Sequence, residues 1–429
     1  MKDYTKDKAF VREFYEAAIK IGQRKMAEID AMMKDIKVVV ETGPRIATGG
    51  GFPGFFFWDT VFCSMWARYT PKGLFPIASS FDNLYKASEK TGFIGREFTP
   101  EGEPMWGEYH PIAFAPPILS WGELETYKAG ITDKERIKKI LPRLIKHHKL
   151  CSERFRLANG LYFGDGLGCG MDDLSRWPIG MTPDERAEGG IPLTINEMTC
   201  DRAINCWNNW LGACCKNYSW NRQSGWIDMT SQMAFDALNI AALCDIVEDS
   251  ATAAEFRKEH AEIADAINKY SWSEEDGWYF DTYKEGHIKR FHIASVWVLI
   301  AEVAPMDRAK RVIEKLKDPE YFNRPIPVPA LAKVDPEYDP ENLYWRGPVW
   351  PCTNYMAIHG LKKYGEEEFA EDIARRYYNA CAQLFEVTGT IWENISSEQS
   401  DHIKPWSGKD FCGWGSLAPI ALATEYNWL

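Results

Sequence analysis

Two carboxylate-bearing segments stand in settings that a merely solvated acid does not need. The first is Gly168-Cys169-Gly170-Met171-Asp172-Asp173-Leu174-Ser175-Arg176-Trp177-Pro178. Two adjacent carboxyls taken out of water cannot both ionise freely, so the proton affinity of one rises. A carboxylic acid that keeps its proton near neutrality is what a general acid needs. Arg176 is the cation expected to hold the other as its anion. The competing reading is an N-cap aspartate followed by a surface arginine, which asks for less than glycines, paired Asp, Arg and Trp together. The second segment is Gly389-Thr390-Ile391-Trp392-Glu393-Asn394, followed by Phe411-Cys412-Gly413-Trp414-Gly415-Ser416. Glu393 lies between a tryptophan and an asparagine, with Glu398 as a nearby competitor for any chemical role.

Two further segments supply surfaces rather than proton transfer. In Phe55-Phe56-Phe57-Trp58-Asp59-Thr60, Trp58 can stack on a sugar face while Asp59 accepts bonds from two hydroxyls. The alternative there is an Asp59 or Thr60 helix cap. Tyr344-Trp345-Arg346-Gly347-Pro348-Val349-Trp350-Pro351-Cys352-Thr353-Asn354-Tyr355 gathers four aromatics, an arginine and Asn354 at a helix start marked by proline, or else serves structure alone. With 18 Trp, 19 Tyr and 22 Phe in 429 residues, the chain suits a wet cleft that stacks on sugars. HExxH, GxSxG and the phosphate-binding GxxxxGK[ST] are absent, and the eight histidines show no metal spacing. The glycine run Gly49–Gly54 leads into aromatics rather than a helix start, so it reads as a loop.

Helical periodicity dominates the elements that must position these segments. Residues 7–33 place Phe10, Phe14, Ala17, Ala18 and Ile21 on one face. Residues 254–270 do the same with Phe256, Ile263, Ile267 and Tyr270, behind a capping box over Thr252–Glu255. Further helices are expected near 59–70, 111–129, 132–150, 195–217, 229–247, 290–303, 306–317, 349–363, 366–386 and 411–425. The aromatic stretches 159–165 and 276–282 echo each other as short hairpin arms. Gly- and Pro-rich loops at 43–54, 99–117, 178–192 and 324–348 adjoin the polar-aromatic motifs, and structured loops on a rigid scaffold are where sites are built. The expectation is a single all-α domain over 1–429, an α/α toroid with function in the loops of one rim. No 34- or 40-residue repeat argues for a solenoid.

The net charge of −12, without a basic block, excludes nucleic acid and anionic membrane as natural partners. No stretch reaches the ~18 apolar residues of a membrane span. The N-terminal MKDYTKDKAF lacks the apolar core of a signal peptide, and eleven scattered cysteines without a CxxC pair read as reduced thiols. Both lead to an expected cytoplasmic location.

Taken in order, FWDT, GMDDLSRWP, YWRGPVWP and TIWEN…FCGWG resemble the inverting α-glycosidases of glycoside hydrolase families 63 and 37, over about residues 45 to 425. That group holds processing α-glucosidases, mannosylglycerate hydrolases and trehalases. The resemblance implies a six-fold α/α toroid with its site at one rim. It places the acid on Asp172, the base on Glu393, and the sugar-holding pairs on Trp58, Asp59, Arg176 and Trp177. Trp345, Arg346, Trp350, Asn354, Trp392 and Trp414 complete the expected sugar-binding set. Ala115-Pro116-Pro117 stands where family 63 commonly carries Gln-Pro-Pro. Residues 396–410 replace the Gly-rich trehalase lid, which disfavours trehalose. The start in a helix matches the compact mannosylglycerate-hydrolase type. The expected activity is hydrolysis, by inversion, of a terminal α-linked glucose or mannose from a small glycoside, without metal or organic cofactor. A sugar isomerase or epimerase on the same scaffold would need a histidine base, and a non-catalytic carbohydrate binder would have no use for two special carboxylates. The loop 178–192, with Gly180, Gly189 and Gly190 as hinges, is expected to act as a lid that turns Arg186 toward the aglycone.

Overall fold

A run of apolar residues on every side marks a helix for the interior, and a one-sided stripe marks it for the outside. The chain contains both kinds, and a computed structural model shows them sorted into two layers. It describes residues 2–34, 36, 43–49, 53–182, 184–185, 198, 204, 223–284, 286–342, 344–399, 401, 403 and 407–429. Helix α2 (Phe57–Ala67) is buried at every position. Helices α4 (Leu119–Lys128), α6 (Ile227–Ile246), α8 (Trp297–Ile300) and α10 (Pro351–Lys363) are buried along most of their length. α2 packs on α4, α4 on α6, α6 on α8 and α8 on α10. The C-terminal helical run, from Cys412–Gly415 through Leu417–Leu422 to Ala423–Glu425, touches both α10 and α2 and closes the circuit.

The outer helices bury a single face. α1 (Lys8–Met33), capped by the Asp7 side chain, lays Val11, Phe14, Ala18, Ile21 and Ile29 against the C-terminal run. α3 (Ile77–Ala87) covers α2, α5 (Lys134–Phe155) covers α4 and α6, and α7 (Ser250–Tyr270) covers α6. α9 (Met306–Lys317) packs near the 272–279 hairpin, and α11 (Glu367–Thr388) covers α10 and the C-terminal run. Rings from the inner layer meet in its middle. Trp58, Phe62, Trp121, Phe235 and Trp297 contact one another in a chain at centroid distances of 4.9–6.4 Å.

Several elements depart from the sequence reading. α7 begins earlier than its proposed capping box, because Asp249 rather than Thr252 is the N-cap and accepts the Thr252 N–H at 3.1 Å. α3 has no counterpart among the expected helices. Residues 111–129 yield a 3-10 turn at Pro111–Ala113 before α4, and 290–303 a 3-10 turn at Ile293–Val296 before α8. The 276–282 arm forms two antiparallel ladders, β4 (Trp272–Ser273) with β5 (Trp278–Tyr279), and β6 (Asp281–Tyr283) with β7 (Gly286–Ile288). β6 also pairs with β3 (Ser224–Gly225). The 159–165 arm makes a single bridge, Arg156 to Tyr162. Most of the helix expected over 195–217, including Cys214 and Cys215, lies outside the described residues, as do Arg186 and the centre of the 178–192 loop. Among the described residues the seven cysteines are free thiols, and no helix is long and apolar enough to cross a membrane.

A buried ionic cluster ties the two layers together. His148 of α5 is bonded to Asp236 of α6 at 2.7 Å and lies 3.2 Å from Glu259 of α7, while Ser120 of α4 donates to Asp236. These partners outweigh burial and raise the His148 pKa to about 9. Its folded value lies above the unfolded one, so protonated His148 stabilises the fold fully below the unfolded pKa near 6.5, and that contribution disappears as pH climbs to about 9. In urea unfolding, the margin of wild type over His148→Gln should therefore be widest at pH 6 and shrink steadily toward pH 9. A margin that does not vary with pH would contradict a charged His148.

Candidate active site

Several elements open their first residues onto one pocket of about 90 Å³. Trp58 and Asp59 come from the first turn of α2, and Trp350 is the N-cap of α10, with Pro351 at the first helical position. Phe411 and Trp414 come from the start of the C-terminal run. Asp172, Glu393, Trp345 and Tyr344 project from loops beside them. The pocket thus brings together Trp58, Asp59, Asp172, Trp345, Trp350, Glu393 and Trp414 of the residues singled out from sequence. Trp345 and Trp350 are stacked at 3.7 Å, Tyr344 stands edge-on to Trp350 at 4.7 Å, and Trp414 meets Trp350 at 5.8 Å. A continuous aromatic wall with polar rims suits the apolar faces and hydroxyl edges of a sugar.

The loop carrying Asp172 is built by its own residues. Asp165 Oδ1 accepts the N–H groups of Leu167 and Gly168 at 2.8 and 3.1 Å. A Cβ on Gly168 would lie 2.4 Å from the Pro111 carbonyl oxygen, and Gly170 adopts φ +77° against the Trp58 ring. Both positions therefore demand glycine. Residues 174–182, which directly follow the Asp pair, are not helical, which removes the N-cap reading. Neither Asp59 nor Thr60 caps α2, since its N-cap is Phe56.

Three pocket carboxyls have raised proton affinities, each chiefly through burial. Asp59 is pushed up to about 7, with Arg96 opposing the rise. Asp172 is also pushed to about 7; Arg96 opposes, while Asp173, Glu393 and Asp165 add to it. Glu393 reaches about 7 although two donors favour its anion. Tyr344 Oη donates to Glu393 Oε1 at 2.7 Å and the Gly408 N–H to Oε2 at 3.0 Å. Asp172 has carboxyl neighbours besides Arg96, and Glu393 has two donors, so the two groups stand in different electrostatic settings. Such a pair can give a proton on one side of a bound molecule and take one on the other. Glu398 is held elsewhere, gripped by Arg324 at 2.7 and 3.0 Å, with a lowered pKa despite partial burial.

Five residues of the sequence-derived set lie off the pocket wall. Arg176 does not hold Asp173, contrary to expectation: it is buried and bonded to Asp228 at 2.5 Å and Asp281 at 2.9 Å. Asp173 instead accepts the Trp345 N–H at 2.5 Å, and its carbonyl accepts from Arg346 at 2.9 Å. Arg346 also donates to Glu337 at 3.1 Å and covers the ring of Trp177, which donates to Glu337 at 3.2 Å. Asn354 donates to the Pro327 carbonyl and Trp392 to Thr388. Sequence reasoning passes over Arg96, the lone cation on the pocket wall among the described residues, and gives Tyr344 no role of its own. Arg96 is brought in by β1 (Phe55–Phe56) pairing with β2 (Glu97–Phe98), and its carbonyl accepts the Phe57 N–H at 2.9 Å. The signal available is a single arginine between Gly95 and Glu97. Gly408, which holds Glu393, belongs to the 396–410 stretch.

The family described as "Mannosylglycerate hydrolase MGH1-like glycoside hydrolase domain" matches residues 79–428. An uncharacterised protein of Borreliella burgdorferi is 25% identical over 327 residues, 75% of this chain and 59% of that protein. Mannosylglycerate hydrolase of Rubrobacter radiotolerans is 27% identical over 164 residues, 36% of this chain and 37% of that enzyme. These matches thus span between roughly a third and three fifths of the relatives' own lengths. The crystal structure of the family 63 mannosylglycerate hydrolase of Thermus thermophilus in complex with Tris superposes with a TM-score of 0.69 at 17% identity, covering 93% of this chain and 99% of that one. The same enzyme has been solved with D-glycerate and with glucose. The fold is a helical toroid of that kind.

The ion pairs of Arg176 give its removal a stability cost that a ligand-holding arginine would not carry. Arg176→Met leaves Asp228 and Asp281 buried without their cation, a change that costs about 3–5 kcal/mol. The loss should appear in denaturant unfolding without any sugar present. Unchanged stability together with weakened sugar binding would return Arg176 to the ligand.

Proposed function

The chain belongs to the mannosylglycerate hydrolase MGH1-like glycoside hydrolases, and from that premise we propose that it hydrolyses a terminal α-linked glucose or mannose from a small glycoside, with inversion. The observation that carries this reading is one aromatic pocket holding Asp172 and Glu393, each with its pKa raised to about 7 and each in a different electrostatic setting. In the proposed mechanism Asp172 gives its proton to the leaving oxygen. Glu393, oriented by Tyr344 and Gly408, takes a proton from a water on the opposite sugar face. The two carboxyls are then expected ~6.5–9.5 Å apart, the separation of inverting enzymes. Trp58, Trp345, Trp350 and Trp414 would stack on the sugar, and Asp59 with Arg96 would bind its hydroxyls. Arg176, Trp177, Arg346, Asn354 and Trp392 would act behind them by holding the wall in place. We take the toroid to be six-fold, on the circuit formed by α2, α4, α6, α8, α10 and the C-terminal run.

A glycerate-like anionic aglycone is supported by the D-glycerate complex of the Thermus enzyme. The isomerase alternative loses ground because no histidine lines the pocket among its described residues.

Asp172→Asn and Glu393→Gln should each lower kcat by roughly 10²–10⁴-fold or more with folding intact, whereas Glu398→Gln should stay within a few-fold of wild type. Proton NMR of fresh product should show the anomer opposite to that of the substrate. Retention of configuration, or a dead Glu398→Gln beside an active Glu393→Gln, would refute the assignment. The kcat/KM profile should be a narrow bell centred near pH 7, rising as Glu393 loses its proton and falling as Asp172 loses its own. Tyr344→Phe removes a donor to the Glu393 anion and should move the acidic limb to higher pH.

A further inference from the structure

We propose that Asp173, the second member of the carboxyl pair, is a positioning residue that latches the loop of the general acid to the loop that supports the general base. The proposal rests on the reading of Asp172 as acid and Glu393 as base. Asp173 is buried, and its Oδ1 accepts the backbone N–H of Trp345 at 2.5 Å. Trp345 directly follows Tyr344, whose hydroxyl donates to Glu393 Oε1 at 2.7 Å. Two dipeptides, Asp172-Asp173 and Tyr344-Trp345, are therefore joined across the pocket. In the first, Asp172 faces the pocket and Asp173 makes the latch. In the second, the Tyr344 side chain meets the base and the Trp345 backbone receives the latch.

The contact is reinforced behind the wall. Arg346 Nε donates to the Asp173 carbonyl at 2.9 Å and lies 3.6 Å from its Oδ2. Arg346 Nη1 reaches Glu337 Oε2 at 3.1 Å, and the same oxygen accepts the Ser175 hydroxyl at 2.8 Å. Glu337 Oε1 accepts from Trp177 at 3.2 Å and from Arg290 at 2.8 Å, and Arg290 also binds Asp335 at 2.6 Å. The acid loop thus grips the 335–346 loop at Asp173, Ser175 and Trp177. Neither loop has regular secondary structure around these contacts to hold it by itself. An aspartate at this position takes a charge-assisted bond from a peptide N–H and attracts Arg346, which a neutral residue does less well. Displacement of a reacting group by ~1 Å can cost on the order of 10²-fold in rate, so a latch between the two loops governs the rate directly.

The charge of Asp173 has a second effect. Asp172 faces Arg96 from the β2 side, Glu393 and the Tyr344 hydroxyl across the pocket, and Asp165 and Asp173 on its own loop. Removing the anion at 173 relieves a repulsion on Asp172 and lowers its proton affinity. Glu393 keeps its donors, Tyr344 and Gly408.

Two variants separate placement from charge. Asp173→Asn is isosteric and retains an oxygen for the Trp345 N–H but loses the anion. Asp173→Ala loses both. On an aryl α-glycoside, Asp173→Ala should lower kcat by about 10²-fold with KM within a few-fold. Asp173→Asn should lose less, while the alkaline limb of its pH profile moves to lower pH and the acidic limb stays in place. In protein labelled with ¹⁵N-tryptophan, the Trp345 amide proton should resonate downfield in wild type and Asp173→Asn, and shift upfield in Asp173→Ala. Wild-type kcat in Asp173→Ala, an unmoved alkaline limb in Asp173→Asn, or a Trp345 amide indifferent to Asp173→Ala overturns the latch. If wild type cleaves no α-glycoside, the functional assignment fails, and the Trp345 amide still decides whether the latch exists.

Discussion

Among the described residues three carboxyl groups share one aromatic pocket with a single guanidinium, that of Arg96, and the rest of the structure serves this imbalance. Asp59 and Glu393 are buried and Asp172 is half-buried, and one Arg96 cannot neutralise all of them. Their proton affinities are raised toward neutrality, and the donors around each set it apart from the others. Tyr344 and Gly408 aim theirs at Glu393, while the neighbours of Asp172 on its own loop are carboxyls. In the proposed mechanism the division of labour between a donor and an acceptor of protons follows from the geometry around two chemically similar groups.

Holding like charges together costs stability, and the loops that do so are braced by ionic clusters outside the pocket. Arg176 with Asp228 and Asp281 anchors the end of the Asp172 loop to α6 and β6. Arg290, Asp335, Glu337 and Arg346 join that loop to the one bearing Tyr344. The helical layers beneath give these loops fixed starting points. α2 and α10 begin at the pocket and are buried along nearly their whole length, so Trp58, Asp59 and Trp350 inherit the rigidity of the inner layer.

What the sequence makes legible is local. The Asp pair, Glu393 and the Trp-rich segments announce themselves by residue types that a plain surface or core does not require, and most helices by their 3.6-residue periodicity. What it hides is long-range. Arg176 reads as a partner for Asp173, its near neighbour, because nothing in the sequence shows that Asp228 and Asp281, 52 and 105 residues further on, converge on it. Arg96 carries no local signature, since it reaches the pocket only through the pairing of two-residue strands, β1 and β2. Arg346, Trp177 and Asn354 are recognisable as belonging near the site, but which of them meets a ligand and which braces the wall depends on side-chain direction. α3 carries the same i, i+4, i+7, i+8 apolar spacing, in Ile77, Phe81, Leu84 and Tyr85, that marks α1, so its signal stands in the sequence although the reading above passes over it.

In the proposed mechanism a proton stays on Asp172 at neutral pH. Carbon-13 NMR of protein labelled at the aspartate side-chain carboxyls tests it most directly, because the chemical shift reports ionisation without any substrate or turnover. One carboxyl should titrate near pH 7, far above the ordinary aspartate range, and vanish in Asp172→Asn. A spectrum unchanged above pH 5 by that substitution, with Asp172 fully ionised at neutrality, would contradict it.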